Sequence, residues 1–377
     1  MQNRKLRIGL CGVGHLGKIH LKCLHETDFE IVGVYDPEVS AQRYVADEYD
    51  IKVYRDLDKL IDDVDAMDIV STTMTHFQIA KKVISKGKHA FIEKPLCATI
   101  EEAQILSELT KKYNVRVQVG HVERYNPAIT SLKDRAVSPK FIEGHRLTTY
   151  NTRGNDVSVM LDLMIHDLDL VLHLVQSEVV DVQANGVCVV NDTPDICNAR
   201  ITFANDCVAN LTASRISMKQ MRKLRMFQQD EYISVDFLKR ETQIITLESV
   251  DDADTIDGMT INTSAGKKVL KMEMPDAEEN NAIVEELRDF HRSILHNTPI
   301  RVTVEDGMKA LELAQQAKDQ ESLGGIMANL AELTENFDAW NEALIILKNS
   351  GNPVMVELYW KNLPEGHPFR KRSGGNA

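Results

Sequence analysis

Arg7-Ile-Gly-Leu-Cys-Gly-Val-Gly-His-Leu-Gly17 is the stretch whose reading decides the fold. Residues 6–10 read as a short buried strand, Gly12, Gly14 and Gly17 form G-x-G-x-x-G, and the apolar residues from His15 to Leu24 recur at helical spacing. Strand, glycine turn and helix in this order make a dinucleotide site. Gly12 permits the tight turn, Gly14 lets backbone approach a pyrophosphate, and Gly17 lets the helix pack close on the strand. The helix N-terminus, opening with His15 and Leu16, then faces the anion. A second strand over 30–35 ends at Asp36, 19 residues beyond Gly17. A carboxylate there accepts from both hydroxyls of an adenosine ribose and repels a 2′-phosphate, which favours NAD over NADP.

Outward from this unit, strands are expected near 66–71, 89–93 and 115–119, with helices near 38–49, 75–86 and 99–113. This βαβ order predicts a doubly wound parallel sheet, a Rossmann domain over 1–121, whose ligands bind at the carboxyl ends of the strands. Three such ends carry chemistry: Ser71-Thr72-Thr73-Met74-Thr75-His76, Glu93-Lys94-Pro95, and Gly120-His-Val-Glu-Arg124-Tyr125-Asn126-Pro127. From about 140 the texture changes to alternating strands near 141–149, 179–190, 196–203, 207–214 and 231–237, interrupted by a helix near 159–176. An α+β domain over 122–323 with an open, largely antiparallel sheet fits that order, its uncovered face needing a partner. Helices near 277–296 and 303–320 follow, then Gly324-Gly325, expected to break the chain before an added helical tail over 324–377. In that tail Leu330, Leu333, Phe337, Trp340, Leu344 and Leu347 mark a narrow apolar seam, 354–360 reads as a strand, and the end reads as disordered.

The bulk numbers narrow the classes. The chain's 377 residues suffice for two domains at about 150 residues each. A net charge of -13 argues against a nucleic-acid partner, which needs a basic surface. No apolar run approaches a membrane span and no secretory core follows Met1, so a cytoplasmic protein is expected. The six cysteines show no C-x-x-C pair and read as reduced core or near-core thiols.

Two features carry the chemistry. Lys94 stands at the end of a buried strand before a proline, where a cis bond can aim the side chain and an ammonium can stabilise the alkoxide formed as hydride leaves. In the helix near 159–176, Asp162, His166, Asp169 and His173 form one polar stripe on an otherwise apolar surface. His166 is the expected acid/base, with Asp162 one turn earlier to orient it. Two other readings stand beside this: a metal site of His166, Asp169 and His173, and a stripe of satisfied structural groups. Hydride transfer with a lysine available requires no Lewis acid, so no metal is assigned.

Gly12-x-Gly14-x-x-Gly17, Glu93-Lys94-Pro95 and Asp162-x-x-x-His166 together resemble the glucose–fructose oxidoreductase / inositol dehydrogenase family over residues 5–320. The resemblance implies a Rossmann domain, a second domain whose open sheet joins subunits into a homodimer or homotetramer, a bound nicotinamide cofactor, and oxidation of a sugar or polyol hydroxyl. It places Lys94, Asp162 and His166 at catalytic positions, and Thr72, Thr73, His76, Glu93 and Lys94 beside the nicotinamide. Within the family, residues 119–128, Thr152-Arg153, 161–169 and Ala213-Ser-Arg215 are similar to members that oxidise the 3-hydroxyl of UDP-N-acetylglucosamine-type sugars. The implied substrate contacts are Arg124, Tyr125, Asn126, Arg153 and Arg215, the arginines offering guanidinium forks to a diphosphate. A dehydrogenase of a free polyol, sugar or cyclic diol, and a non-catalytic NAD-binding regulator, remain as alternative readings.

Overall fold

The computed structural model describes residues 5–150, 158–250, 259–264 and 266–332, with side chains to 319. The first half alternates β1 (Arg7–Cys11), α1 (His15–Leu24), β2 (Glu30–Tyr35), α2 (Val39–Tyr49), α3 (Leu57–Asp63), β3 (Ala66–Ile69), α4 (Thr73–Ser85), β4 (His89–Glu93), α5 (Ile100–Tyr113) and β5 (Val117–Gly120). The five strands are parallel in the order β2-β1-β3-β4-β5, so the chain reverses direction across the sheet between β1 and β3. The expected elements form where their patterns placed them. α3 was not anticipated: seven residues are too few to show a helical period, although Asp56 caps it by accepting from the Asp58 backbone N–H at 2.9 Å.

After a 3₁₀ turn (Val122–Tyr125) and α6 (Pro127–Thr130) come β6 (Phe141–Leu147), a π-helical turn (Met160–Met164) and α7 (Ile165–Val175). Eight strands follow: β7 (Val179–Val187), β8 (Ile196–Phe203), β9 (Val208–Ser214), β10 (Met221–Gln228), β11 (Glu231–Asp236), β12 (Glu241–Ser249), β13 (Thr260–Thr263) and β14 (Gly266–Glu273). They join β6 in a nine-stranded sheet, β13-β14-β12-β11-β10-β6-β9-β8-β7, antiparallel at every pair except β6–β9. α8 (Ala282–His296) and α9 (Val304–Glu332) complete the described chain.

One face of the large sheet, with Ile142, Ala199, Leu211, Leu224, Met226 and Ile233, buries against α7 and α9. The opposite face carries Phe141, Phe227 and Tyr232 in a cross-strand file, ring centroids 5.9 and 5.0 Å apart. β10, β12, β13 and β14 were missed in the sequence because their outward positions alternate cations, acids and amides with few inward apolar residues. In β10 only Leu224 and Met226 are buried in the core, alternating with Lys223, Arg225 and Phe227.

α8 turns back to the first sheet, where Phe290 packs on Phe91 and Phe29 at 5.9 and 6.0 Å. α9 lies between both cores, Leu311 facing one and Ala310, Leu313, Ala314 and Ala317 the other. Gly324-Gly325 does not break the chain: α9 runs through it to Glu332. A helix interior tolerates glycine at about 1 kcal/mol each while its backbone hydrogen bonds continue. The seam beyond Leu330, the strand-like 354–360 and the terminal residues lie outside the described residues. Cys188 is exposed, against the core reading, whereas the other five cysteines are buried. No helix among the described residues is long and apolar enough to cross a membrane.

Candidate active site

The cofactor end is built from backbone. At Gly12, φ is +95° and an added Cβ would meet the Ser71 backbone at 2.7 Å, so the β1–α1 turn and the β3 end touch here. An added Cβ at Gly17 would stand 2.0 Å from the Gly12 carbonyl oxygen, a backbone clash at the foot of α1. Gly14 faces open space, with nothing within 4 Å of such a Cβ. It caps α1 without a side-chain hydrogen bond, and no acidic residue occupies the first turn, which begins with His15 and Leu16. Unshielded N–H groups and an open approach are what a pyrophosphate requires. Asp36 follows β2, its two carboxylate oxygens each accepting a backbone N–H, from Val13 and Glu38, both at 2.8 Å. A carboxylate has about four acceptor sites, so this leaves capacity for ribose hydroxyls. The residues present therefore fit NAD. Thr72 stands at the N-cap of α4 and is exposed, with half-buried Thr73 beside it.

Lys94 follows β4, and its peptide bond to Pro95 is cis. Its ammonium reaches across to the second half of the chain, donating to the Asp162 carbonyl oxygen at 2.8 Å and lying 3.4 Å from Oδ1. Asp162 sits inside the π-helical turn, an irregularity frequent at functional sites. Its carbonyl and carboxylate oxygens pair with Lys94 and not with His166, so the structure seats it against the lysine. One turn on, His166 has a buried Nδ1 without a partner among the described residues. Burial first, then the charges of Lys94 and Arg146, pushes His166 well below the ordinary imidazole value. His166 is therefore neutral at physiological pH and able to take a proton. The acid limb of kcat/KM is accordingly expected below about pH 6.5, with a flat profile between about pH 6.5 and 8; a limb at or above the ordinary histidine value would contradict this.

The rest of the stripe is tied to cations. Asp169 makes a bidentate pair with Arg124, Nε–Oδ2 2.8 Å and NH2–Oδ1 2.6 Å, and His173 Nδ1 lies 3.4 Å from the same guanidinium. A metal held by His166, Asp169 and His173 is not favoured where one arginine already occupies two of the three. Asp167, also on α7, is paired bidentately with Arg146, which further contacts Glu123 at 2.8 Å. His121, after β5, is buried with both ring nitrogens unpartnered among the described residues, Nδ1 4.0 Å from Asp169.

Several expected contacts are closed. Arg124 is 3 % exposed and its guanidinium is taken by Asp169, so it is not an open fork for a diphosphate. Tyr125 is buried, donates to Asp289 Oδ2 at 2.8 Å and lies beneath the Arg301 guanidinium. Asn126 caps α6, accepting from Ala128 N–H at 3.1 Å, while its amide donates to Glu123 and Phe237. The His76 ring nitrogens lie 3.0 and 2.9 Å from the Pro95 and Ser71 carbonyl oxygens, a clamp between two loops and not an open nicotinamide contact. Glu93 points inward, Oε1 3.1 Å from His20 Nε2 and Oε2 accepting the Lys94 backbone N–H at 3.1 Å. Arg215 is buried at the end of β9. Arg153 lies outside the described residues.

Arg222 on β10 was missed. It pairs in register with Arg146 on β6, its side chain is 43 % exposed, and its guanidinium lies 3.9 Å from Glu123. Burial and the neighbouring Arg146 both disfavour its charge, and its field reaches His166. A bound anion would relieve that. Glu286 on α8 is fully buried, both oxygens unpartnered among the described residues. Burial and Glu93 hold its carboxyl well above the ordinary carboxylate range, so the folded protein keeps a proton that the unfolded chain releases. That linkage lowers stability progressively as pH rises above the unfolded value. Glu286→Gln is expected to melt above the native protein by a margin that widens from about pH 6 to about pH 8; a margin constant with pH would contradict a buried neutral carboxyl.

Comparison with known proteins identifies the family and the fold. Residues 6–121 match an oxidoreductase family model with an NAD-binding Rossmann fold, and residues 134–230 match a GFO/IDH/MocA C-terminal domain. A UDP-N-acetylglucosamine 3-dehydrogenase of Acidithiobacillus ferrooxidans is 35% identical over 83% of this chain and 96% of its own length. Its solved structure superposes with a TM-score of 0.76 at 33% identity, covering 85% of this chain and 99% of that one. A myo-inositol 2-dehydrogenase of Thermotoga maritima is 26% identical over 83% of this chain and 95% of its own. The apo scyllo-inositol dehydrogenase of Lactobacillus casei shares the fold, TM-score 0.68 at 20% identity, covering 85% of this chain and 97% of that one. With a glycine cradle open to a dinucleotide and a lysine and neutral histidine beyond it, the chain belongs to the GFO/IDH/MocA family and is an NAD-dependent oxidoreductase.

Proposed function

We propose that the chain oxidises a secondary hydroxyl, the 3-hydroxyl, of a nucleotide-activated N-acetyl sugar of the UDP-N-acetylglucosamine type. The observation that carries this reading is the Lys94 ammonium held 2.8 Å from the Asp162 carbonyl, one turn before His166. NAD, when bound, accepts the hydride. Lys94 polarises the hydroxyl oxygen and stabilises its developing negative charge. With Nδ1 buried, His166 takes the hydroxyl proton at Nε2, and burial keeps it neutral until then. Asp162 holds Lys94 in place.

For the phosphates we assign Arg222 in place of the closed Arg124, with Arg215 and Arg153 as further candidates. Arg222→Met is expected to raise KM for a UDP-sugar about tenfold or more, with KM for NAD unchanged. An unchanged sugar KM would remove Arg222 from the site.

We place the enzyme in the cytoplasm, divide the chain near residue 121, and assign the Phe141–Phe227–Tyr232 face to contact between subunits of a homodimer or homotetramer. The similarity to inositol dehydrogenases supports a second reading, oxidation of a free polyol. Purified protein with NAD and, separately, UDP-N-acetylglucosamine, its uronate, myo-inositol and free sugars distinguishes them by absorbance of the reduced nicotinamide, with a coupled amine-transfer step pulling the ketone forward. Reduction with a UDP-sugar alone supports the first reading; reduction with myo-inositol alone overturns it in favour of the second.

A further inference from the structure

Behind the Glu93–Lys94 turn lies a file of buried ionisable groups that the hydride-transfer reading does not use. His20, on the second turn of α1, is fully buried. Its Nδ1 is 3.0 Å from Oδ2 of Asp68 on β3, and its Nε2 is 3.1 Å from Glu93 Oε1. The other Glu93 oxygen accepts the Lys94 backbone N–H at 3.1 Å. One carboxylate thus holds a histidine on one side and the peptide of the active-site lysine on the other. Its seat is shaped to fit: a Cβ on Gly120 would meet Glu93 Oε1 at 2.6 Å, and the His20 ring packs on Phe91 with centroids 5.8 Å apart.

Each His20 nitrogen faces a carboxylate oxygen: Nδ1 is hydrogen-bonded to Asp68, whereas Nε2 meets Glu93 as a charge contact outside hydrogen-bond alignment, an attraction that requires the doubly protonated ring. Burial opposes that cation, but Asp68 and Glu93 outweigh it and hold His20 well above its ordinary value. His20 first, and then Lys94, likewise keep Glu93 ionised against its own burial. Glu286, neutral, closes the file from α8. A file of apolar side chains would hold the fold as well or better, since buried ion pairs seldom add net stability. What ions add here is direction: the position of the Glu93 carboxylate, and through it that of the Lys94 peptide.

We propose that His20 and Glu93 are positioning residues for Lys94: the imidazolium of His20, anchored by Asp68, fixes the Glu93 carboxylate, which fixes the backbone from which the Lys94 ammonium reaches Asp162. The proposal rests on the reading of Lys94 as the group that polarises the hydroxyl. His20→Gln and Glu93→Gln, the second nearly isosteric, are compared in the native chain and in a Lys94→Met background, with NAD and UDP-N-acetylglucosamine, or whichever sugar of the panel above turns over. In the native chain each is expected to lower kcat by about 10- to 100-fold, with the dissociation constant of NAD within about threefold, the scale of a misplaced catalytic group. In the Lys94→Met background the same changes are expected to alter the residual rate less than about twofold, because residues acting through one group are not additive.

An equal loss in both backgrounds overturns the proposal, as does a lower Tm with kcat of the folded protein unchanged. If His20→Gln does not fold, Glu93→Gln decides. Should Lys94→Met alone leave kcat intact, the reading of Lys94 fails and the proposal with it, an outcome distinct from additivity. Stoichiometric zinc in the purified protein would also overturn it. His20, Glu93 and Glu286 place ligand atoms within 4.8 Å of one another, and a metal there would make His20 a neutral ligand.

Discussion

Lys94→Met is expected to lower kcat by about 10²- to 10³-fold while leaving NAD affinity and Tm near their native values. The size follows from the placement of the charge. The Lys94 side chain is only 16 % exposed and its ammonium is already oriented by the Asp162 carbonyl, so in the proposed mechanism it would meet a developing alkoxide without reorganising. Methionine keeps the length and apolar stem, and the ion pair it removes has a partner 46 % exposed, which limits the stability change to about 1 kcal/mol or less. His166→Asn is expected to lower kcat by about 10²- to 10⁴-fold by removing the proton acceptor. Initial rates with saturating NAD, and cofactor binding followed by protein fluorescence, check both. Native kcat in either variant would remove that residue from the mechanism.

The second large effect lies at the glycine turn, where Gly14 and Gly17 are expected to fail in different ways. A side chain on Gly14 meets nothing in the protein, so Gly14→Val folds with a near-native Tm but occupies the approach that a pyrophosphate needs. NAD affinity is expected to fall about 100-fold or more, equivalent to about 2.7 kcal/mol. Gly17→Ala instead drives a Cβ to 2.0 Å from the Gly12 carbonyl oxygen, so the helix must shift away from the strand and Tm falls. Calorimetric titration with NAD and thermal unfolding separate the two. A Gly14→Val protein that binds NAD normally would show that the cofactor does not lie over this turn.

The parts legible in the sequence are those whose signal is local. Gly12, Gly14 and Gly17 between a strand and a helix are read within eleven residues, and Lys94 and His166 each stand at an element end or stripe visible from their neighbours. Pairings across the chain were not legible. Arg124 looked like a free fork in a polar loop, yet its partner Asp169 stands 45 residues away. One signal was available: α7 is apolar but carries Asp167 and Asp169, and two buried carboxylates need two buried cations. Arg124 and Arg146 supply them, leaving Arg222 the more exposed of the three. The π-helical turn at Asp162 leaves no compositional mark, and the continuation of α9 through Gly324-Gly325 reverses a local rule that holds at helix ends better than within them.

The central claim is that hydride leaves the carbon bearing the 3-hydroxyl of a UDP-N-acetyl sugar. UDP-N-acetylglucosamine deuterated at that carbon, incubated with the enzyme, NAD and an amine-transfer step, tests it most directly by mass spectrometry of the reduced cofactor. Deuterium in the reduced nicotinamide is the expected result, together with its loss in Lys94→Met. Deuterium retained by the sugar, while myo-inositol reduces NAD in a parallel reaction, would contradict it.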